Sequence, residues 1–282
     1  MTEPILTSVK SELEAKRIGQ DFESDEYWID THCHFDMLTQ TAEAVIAAAK
    51  DCRVRQMITI SVEPTSFNKV LNFCQKYPQL YGSLGVHPHD ATQFNDQVEA
   101  DLRQALRQQS KIIAIGETGL DYHYMHSSKK EQKSAFTRQL EIAASVNLPV
   151  VLHTREAEED TLAILREFNP SCKGVAHSFT SSLKMAEELL EMGWYLGFNG
   201  IVTFPKAEAV REVVRHTPLQ RLLIETDAPY LTPVPFRGRP NDSTRIPIIG
   251  HYIAQMLSMP ASKFANQTTE NAINLFKLEP AA

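Results

Sequence analysis

No stretch of this 282-residue chain is apolar enough to cross a bilayer. Its longest uninterrupted runs, such as Ala44 to Ala49, reach six residues, against the roughly 20 that a membrane helix needs. A basic excess is also missing. Lys and Arg number 28 against 35 Asp and Glu, a net charge of −7, which argues against holding nucleic acid through a broad cationic face but leaves room for a local cationic site. The four cysteines, Cys33, Cys52, Cys74 and Cys172, form no Cys-x-x-Cys pair, and no apolar leader with a cleavage site is present. A reducing, cytoplasmic location is therefore the expectation. Two catalytic fingerprints are absent as well. Gly-x-Gly-x-x-Gly does not follow the first apolar run and Gly-x-Ser-x-Gly is missing, so neither an open dinucleotide-binding sheet nor a serine hydrolase is indicated.

What is present suits an enzyme-sized globular chain. Hydrophobic residues make up 43% and charged residues 22%, enough to fill a core. Residues 1–26 carry seven acids and three bases, a local −4, and read as an acidic extension, helical or loose, on the surface of a domain spanning 27–282. From Tyr27 onward, short apolar runs alternate with amphipathic ones. The strand candidates are Trp28–Cys33, Gln56–Val62, Leu80–Val86, Lys111–Gly116, Pro149–His153, Gly174–His177, Trp194–Phe198 and Arg221–Thr226. Helical patterns follow each, from Ala42–Asp51 to Ala261–Phe276. Eight strand-then-helix units without a linker predict a single (β/α)8 TIM barrel.

The ten histidines are placed unevenly. Asp30-Thr-His-Cys-His34 closes the first strand, and strict alternation would put Asp30, His32 and His34 on one face, toward the barrel interior. Glu117, His153, His177 and Asp227 each fall at the C-terminal end of another predicted strand, the rim where barrel active sites are built. A single zinc site needs three or four protein ligands. Six ligand-type residues, His32, His34, Glu117, His153, His177 and Asp227, including a carboxylate able to bridge, predict two divalent ions and hydrolytic chemistry at a phosphoester or amide.

Six motifs in order, Asp30-Thr-His-Cys-His34, Gly85-Val-His-Pro-His89, Gly116-Glu-Thr-Gly-Leu-Asp-Tyr122, His153-Thr-Arg155, His177-Ser-Phe179 and Glu225-Thr-Asp-Ala-Pro-Tyr-Leu-Thr-Pro233 followed by Arg237-Gly, resemble the TatD family of metal-dependent deoxyribonucleases. The resemblance covers roughly residues 27–276. It implies a TIM-barrel hydrolase of the amidohydrolase-like superfamily that works as a 3′ to 5′ exonuclease on DNA, and on RNA as an alternative, at strand ends. It further implies that His32, His34 and Asp227 hold one ion and His153 and His177 the second, with Glu117 bridging and Asp227 activating water. Family members use divalent cations, magnesium among them. The four imidazoles favour zinc or manganese over magnesium, which prefers oxygen ligands, so the identity of the metal stays open between Mg, Mn and Zn.

Around this set, His87 is placed to hydrogen-bond a substrate phosphate or the water, although a turn histidine paired with a backbone carbonyl fits the same sequence. Arg155 and Arg237 are candidate phosphate contacts, against an ion pair with Glu156, Glu158 or Glu159 for the first and a solvated loop for the second. Asp30, Asp121 and Glu225 are expected behind the ligands, with Asp30 deeper in the barrel and bonded to a ligand histidine. Cys33 should pack in the core. His123 and His126 should be exposed, and His89, His216 and His251 should be surface or capping residues. The competing functions are a metallo-amidohydrolase or esterase acting on a cyclic amide or an aminoacyl-tRNA ester, and a non-catalytic barrel scaffold. The chain is expected to act as a monomer on nucleic-acid ends without membrane contact. Counting Glu117, Asp227 and two divalent ions gives a local charge of about +2, compatible with a few phosphates and a shallow salt dependence.

Overall fold

The strands begin where β-branched and large apolar residues cluster, and each is short because a polar or glycine-containing turn follows. In the computed structural model, which describes residues 26–281, they are β1 (Trp28–Cys33), β2 (Val54–Ile60), β3 (Leu80–Leu84), β4 (Ile112–Asp121), β5 (Val150–Arg155), β6 (Gly174–Ala176), β7 (Tyr195–Phe198) and β8 (Leu222–Ile224). The intervening helices are α1 (Ala42–Asp51), α2 (Phe67–Lys76), α3 (Asp96–Gln108), α4 (Lys129–Val146), α5 (Glu158–Phe168), α6 (Leu183–Glu191) and α7 (Glu208–His216), with α8 (Ile246–Met256) and α9 (Ala261–Phe276) closing the chain. Side chains satisfy orphan N–H groups at several helix starts. Thr41 caps α1, Asn95 caps α3, and Ser128 with Glu131 forms a reciprocal capping box on α4. The acidic extension expected at residues 1–26 lies, apart from Glu26, outside the described residues. Among those described, no helix is long and apolar enough to cross a membrane.

The eight strands pair in chain order, and every pairing is parallel. This is the expected TIM barrel. Inside it, Ile29, Ile58, Ile60, Ile113, Val151, Val175, Tyr195 and Leu223 pack together, and Phe276 and Leu278 close the end opposite the strand C-termini. A second layer, including Trp28, Met57, Leu84, Ile115, Leu152, Phe136 and Leu140, lies between the strands and the helices. Cys33 belongs to that outer layer, as expected, and all four cysteines are buried and outside any disulfide.

The seam between β8 and β1 is held by few backbone bonds. A single parallel bridge joins Cys33 and Ala228; His34 N–H donates to Ala228 O (2.8 Å) and Asp227 N–H to His32 O (2.9 Å). Asp30 supplies much of the rest. Its Oδ1 accepts from Thr226 N–H (2.9 Å), and its Oδ2 accepts from the hydroxyls of Thr226 and Ser243 (2.7 Å each). This corrects the placement read from strand alternation. The β1–β2 register shifts between Asp30 and Cys33, so Asp30 turns into the seam and reaches His32 only through the main-chain N–H, at 3.3 Å. Burial pushes the Asp30 carboxyl up to about 7 against the pull of these hydrogen bonds.

One strand differs from its sequence-based span for a clear reason. β4 was expected to stop at Gly116 but runs five residues further, to Asp121. Its extension pairs with β5 from Thr118↔Leu152 to Asp121↔Arg155, and two buried glutamines of α4 hold it. Gln132 accepts from Asp121 N–H and donates to Asp121 O, while Gln139 donates to Thr118 Oγ1 and clamps both main-chain groups of Val86. Gly119, at φ +146, permits the close approach: a Cβ there would sit 1.9 Å from His153 O.

Candidate metal centre

The C-terminal rim gathers His32 from β1, His34 directly after it, Glu117 from β4, His153 from β5, His177 just after β6, and Asp227 three residues past β8. His34 and Asp227 are set by local geometry. Asp227 adopts a left-handed conformation (φ +56), which Asp tolerates better than most residues, and its N–H is tied to His32 O. Ser178, also left-handed, turns the chain directly after His177.

Glu117 is the hub. Its Oε1 lies 2.7 Å from His177 Nε2, 2.9 Å from His153 Nδ1 and 3.5 Å from His87 Nε2, whereas its Oε2 lies 3.4 Å from His32 Nε2. His32 Nε2 is in turn 3.3 Å from His34 Nε2, and Asp227 Oδ1 is 3.6 and 3.5 Å from those two nitrogens. The two carboxylate oxygens of Glu117 thus face two different imidazole sets. Among the described residues, three groups have ligand atoms close enough to hold a cation: His32–Glu117–His177, His32–His34–Asp227 and His87–Glu117–His153.

The hydrogen-bond partners of the rings assign their lone pairs. His34 Nδ1 is 3.1 Å from Ile60 O, so in the neutral ring it carries the hydrogen and leaves Nε2 bare toward His32. His153 Nε2 faces Asp121 Oδ2 at 3.0 Å, freeing Nδ1 toward Glu117. His177 Nδ1 faces Glu225 Oε1 at 3.4 Å, and its Nε2, 2.7 Å from Glu117, lies outside hydrogen-bonding geometry, as does the buried His32 Nδ1 with respect to any partner. His177 Nε2, buried and without a hydrogen bond, and the imidazole nitrogens and carboxylate oxygens that crowd toward it are what a divalent cation would satisfy. The residues present fit divalent metal.

His87 is different. Its Nδ1 accepts from His89 N–H (3.1 Å), so the neutral ring bears its hydrogen on Nε2 and offers a donor toward Glu117. Burial first, and then the neighbouring His153, hold this imidazole well below its ordinary pKa, which keeps it neutral near pH 7. Burial alone would raise the Glu117 carboxyl, but His177 and His87 outweigh it and hold the group well below the usual carboxylate range.

Comparison with known proteins follows the same lines. The sequence profile of the family described as TatD related DNase matches residues 29–277. The chain belongs to the TatD family. A TatD-family relative from Bacillus subtilis, the uncharacterized metal-dependent hydrolase YabD, is 38% identical over 252 residues, covering 88% of this chain and 98% of that protein. The protein of Edwardsiella piscicida named 3′-5′ ssDNA/RNA exonuclease TatD is 35% identical, covering 83% and 92%. The crystal structure of YJJV, a TatD homolog from Escherichia coli K12, superposes with a TM-score of 0.85 at 32% identity over 89% of this chain and 98% of that one. Relatives at this level are named metal-dependent hydrolases, and among the described residues of this TatD chain the cluster around Glu117 has the side chains to hold a metal ion.

The residues expected behind the ligands of the TatD site lie close to them. Asp121 Oδ2 contacts both His153 and His89 (3.0 and 3.2 Å), and its Oδ1 accepts from the N–H groups of His123 and Tyr124. Glu225, fully buried, also accepts from Ser178 N–H and lies where a Cβ on Gly197 would meet it at 2.6 Å. These two carboxylates offset the local +2 counted from Glu117 and Asp227 alone, so with two divalent ions the centre is close to neutral.

His89 is a correction: it is neither a surface residue nor a cap, but packs 4.3 Å from His87 and shares Asp121 with His153. Its position two residues after His87 in Gly-Val-His-Pro-His was the signal. His216 and His251 do bond carbonyls of their own helices, Glu212 O and Pro247 O. His123 and His126 are exposed. The guanidinium of Arg155 lies over Tyr124 at 4.8 Å rather than against Glu156, Glu158 or Glu159, and that of Arg237 over Phe204 at 3.8 Å. Arg237 is therefore held in the loop after β8, with no contact to the ligand cluster.

Proposed function

We propose that this chain is a two-metal phosphodiesterase that removes nucleotides from the 3′ ends of DNA or RNA single strands. The observation that carries the reading is the division of Glu117: one oxygen toward His153 and His177, the other toward His32, with His34 and Asp227 beyond it. The name of the Edwardsiella relative supports the substrate class. His32, His34 and Asp227 would hold one ion, His153 and His177 the other, and Glu117 both. Divalent cations held there would neutralise charge on the attacking and leaving oxygens of a displacement at phosphorus.

The chain's own groups supply the rest. Asp227, its side chain 13% exposed, is the ligand carboxylate most open to solvent and is held ionised by His34 and His32 against the cost of burial, which suits it to take a proton from the attacking water. His87 Nε2–H donates to a non-bridging phosphoryl oxygen. Asp121 and Glu225 fix the orientation of His153 and His177. Arg155, at the exposed end of β5, is within the rim to meet a phosphate, and the loop that carries Arg237 flanks the same opening. No observation favours an amidohydrolase: Glu117 stands at the centre where a carbamylated lysine would bridge, and Lys111, just before β4, donates to the Cys74, Tyr77 and Pro78 carbonyls.

The test is a chelated preparation reconstituted with Mg, Mn or Zn singly and offered 3′-labelled single-stranded DNA, RNA and an aminoacyl-tRNA. The expected result is metal-dependent release of mononucleotides from the labelled 3′ end. Cleavage of the aminoacyl ester alone would replace the nuclease reading with an esterase.

A further inference from the structure

Among the described residues only four large hydrophobic side chains are exposed: Tyr124 (51%), Met125 (41%), Val146 (40%) and Tyr230 (55%). Three of the four stand on the catalytic rim. Tyr124 follows β4, its N–H bonded to Asp121, its ring edge-on to His89 at 5.4 Å and covered in part by Arg155. Tyr230 follows β8, its N–H bonded to Asp227 O and its ring edge-on to His34 at 6.3 Å. The first tyrosine therefore abuts the His153–Asp121 side of the centre and the second the His34–Asp227 side. Strand order places them apart: β4 and β5 lie across an eight-stranded barrel from β8 and β1.

The Tyr124 ring rests edge-on against His89 and His123 and near His126, and the Tyr230 ring edge-on to His34 with a long contact from its hydroxyl to Met37 Sδ (3.6 Å), yet each leaves about half its surface in water. Their backbones are nonetheless fixed by the same carboxylate and carbonyl groups that position the ligands. A rigid aromatic held at the edge of a phosphate-handling centre is the element that proteins use to stack unpaired bases without reading their sequence. Arg155 against Tyr124 adds a cation that can serve the base face or the adjoining phosphate.

We propose that Tyr124 and Tyr230 are nucleobase-stacking platforms on opposite sides of the scissile phosphate, one for the base of the departing nucleotide and one for the base of the next. This rests on the nuclease reading and makes it narrower. A paired end cannot present both faces, so the substrate is an unpaired strand end of at least two nucleotides, with no preference among the four bases beyond their stacking strength.

The test replaces one aromatic face without changing the backbone or the base-pairing edge. The metal-loaded enzyme is given matched single strands ending in thymidine or in 5,6-dihydrothymidine, whose saturated ring is puckered, at the terminal or the penultimate position. Each base that stacks should raise kcat/KM by roughly 5- to 150-fold over its dihydro counterpart. Y124A should erase the preference at one position and Y230A at the other, while Y124F and Y230F retain it. A fluorescent base analogue at each position should be quenched on binding to the wild type and not to the alanine variant. Equal rates on thymidine and dihydrothymidine strands, or a preference that survives both alanine variants, would overturn the stacking proposal and leave the nuclease reading intact. A chain that releases nucleotides from neither strand with any metal removes the nuclease reading, and the inference goes with it.

Discussion

Glu117→Gln is expected to lower phosphodiester hydrolysis by at least about 10³-fold, on the order of 4 kcal/mol of transition-state stabilisation. The carboxylate oxygens meet His177, His153 and His87 on one side and His32 on the other. Glutamine fills the same volume but places an NH2 where a lone pair was needed and deletes the charge shared by both ion sites. The His153–His177 set loses the one carboxylate that faces its inward nitrogens, since Asp121 and Glu225 meet the opposite ring nitrogens and Asp227 lies against His32 and His34. Metal content should fall from two per chain to one or none by elemental analysis. Far-UV circular dichroism should be unchanged, because the hydrophobic layers of the barrel do not involve this residue. Activity within tenfold of the wild type, with two ions retained, would remove Glu117 from the role of bridge.

The largest expected effect on stability belongs to Asp30→Ala. That carboxylate is fully buried and accepts from Thr226 N–H, Thr226 Oγ1 and Ser243 Oγ across the seam where β8 meets β1. Truncation leaves those donors unsatisfied and opens a cavity. Stranded buried polar groups cost about 1–3 kcal/mol each, partly relieved because the two hydroxyls can rotate, and with the cavity added we expect about 3–5 kcal/mol in total. Denaturant unfolding should show a lower midpoint with little change in slope. Asp30→Asn keeps one acceptor oxygen and should cost less than half as much. Because Asp227 lies one residue past Thr226, the alanine variant should also lose activity under conditions where it remains folded.

The sequence carried the barrel because eight apolar runs, each followed by an amphipathic one, admit few other parallel arrangements. It carried the convergence of His32, His34, Glu117, His153, His177 and Asp227 because strand C-termini share one rim in this fold. Alternation failed at Asp30, where a register shift that no local propensity announces turns the side chain into the seam. The length of β4 was hidden because Gly116 and Gly119 read as a turn, whereas Gln132 and Gln139, thirteen or more residues away, supply the bonds that keep the segment extended. His89 was obscured by its proline and by an exposed-looking neighbourhood; its partner Asp121 becomes adjacent only after β4 runs on past Glu117. Long-range side-chain pairing, rather than periodicity, decided each of these.

The central claim is that one glutamate joins two metal ions at the rim of the barrel. Anomalous diffraction from crystals of metal-loaded protein, collected above and below the absorption edge of manganese or zinc, addresses it directly. Two peaks about 3.5–4 Å apart should flank the Glu117 carboxylate, one within bonding distance of His32, His34 and Asp227 and the other of His153 and His177. A single peak, or a pair that Glu117 does not touch, would contradict it.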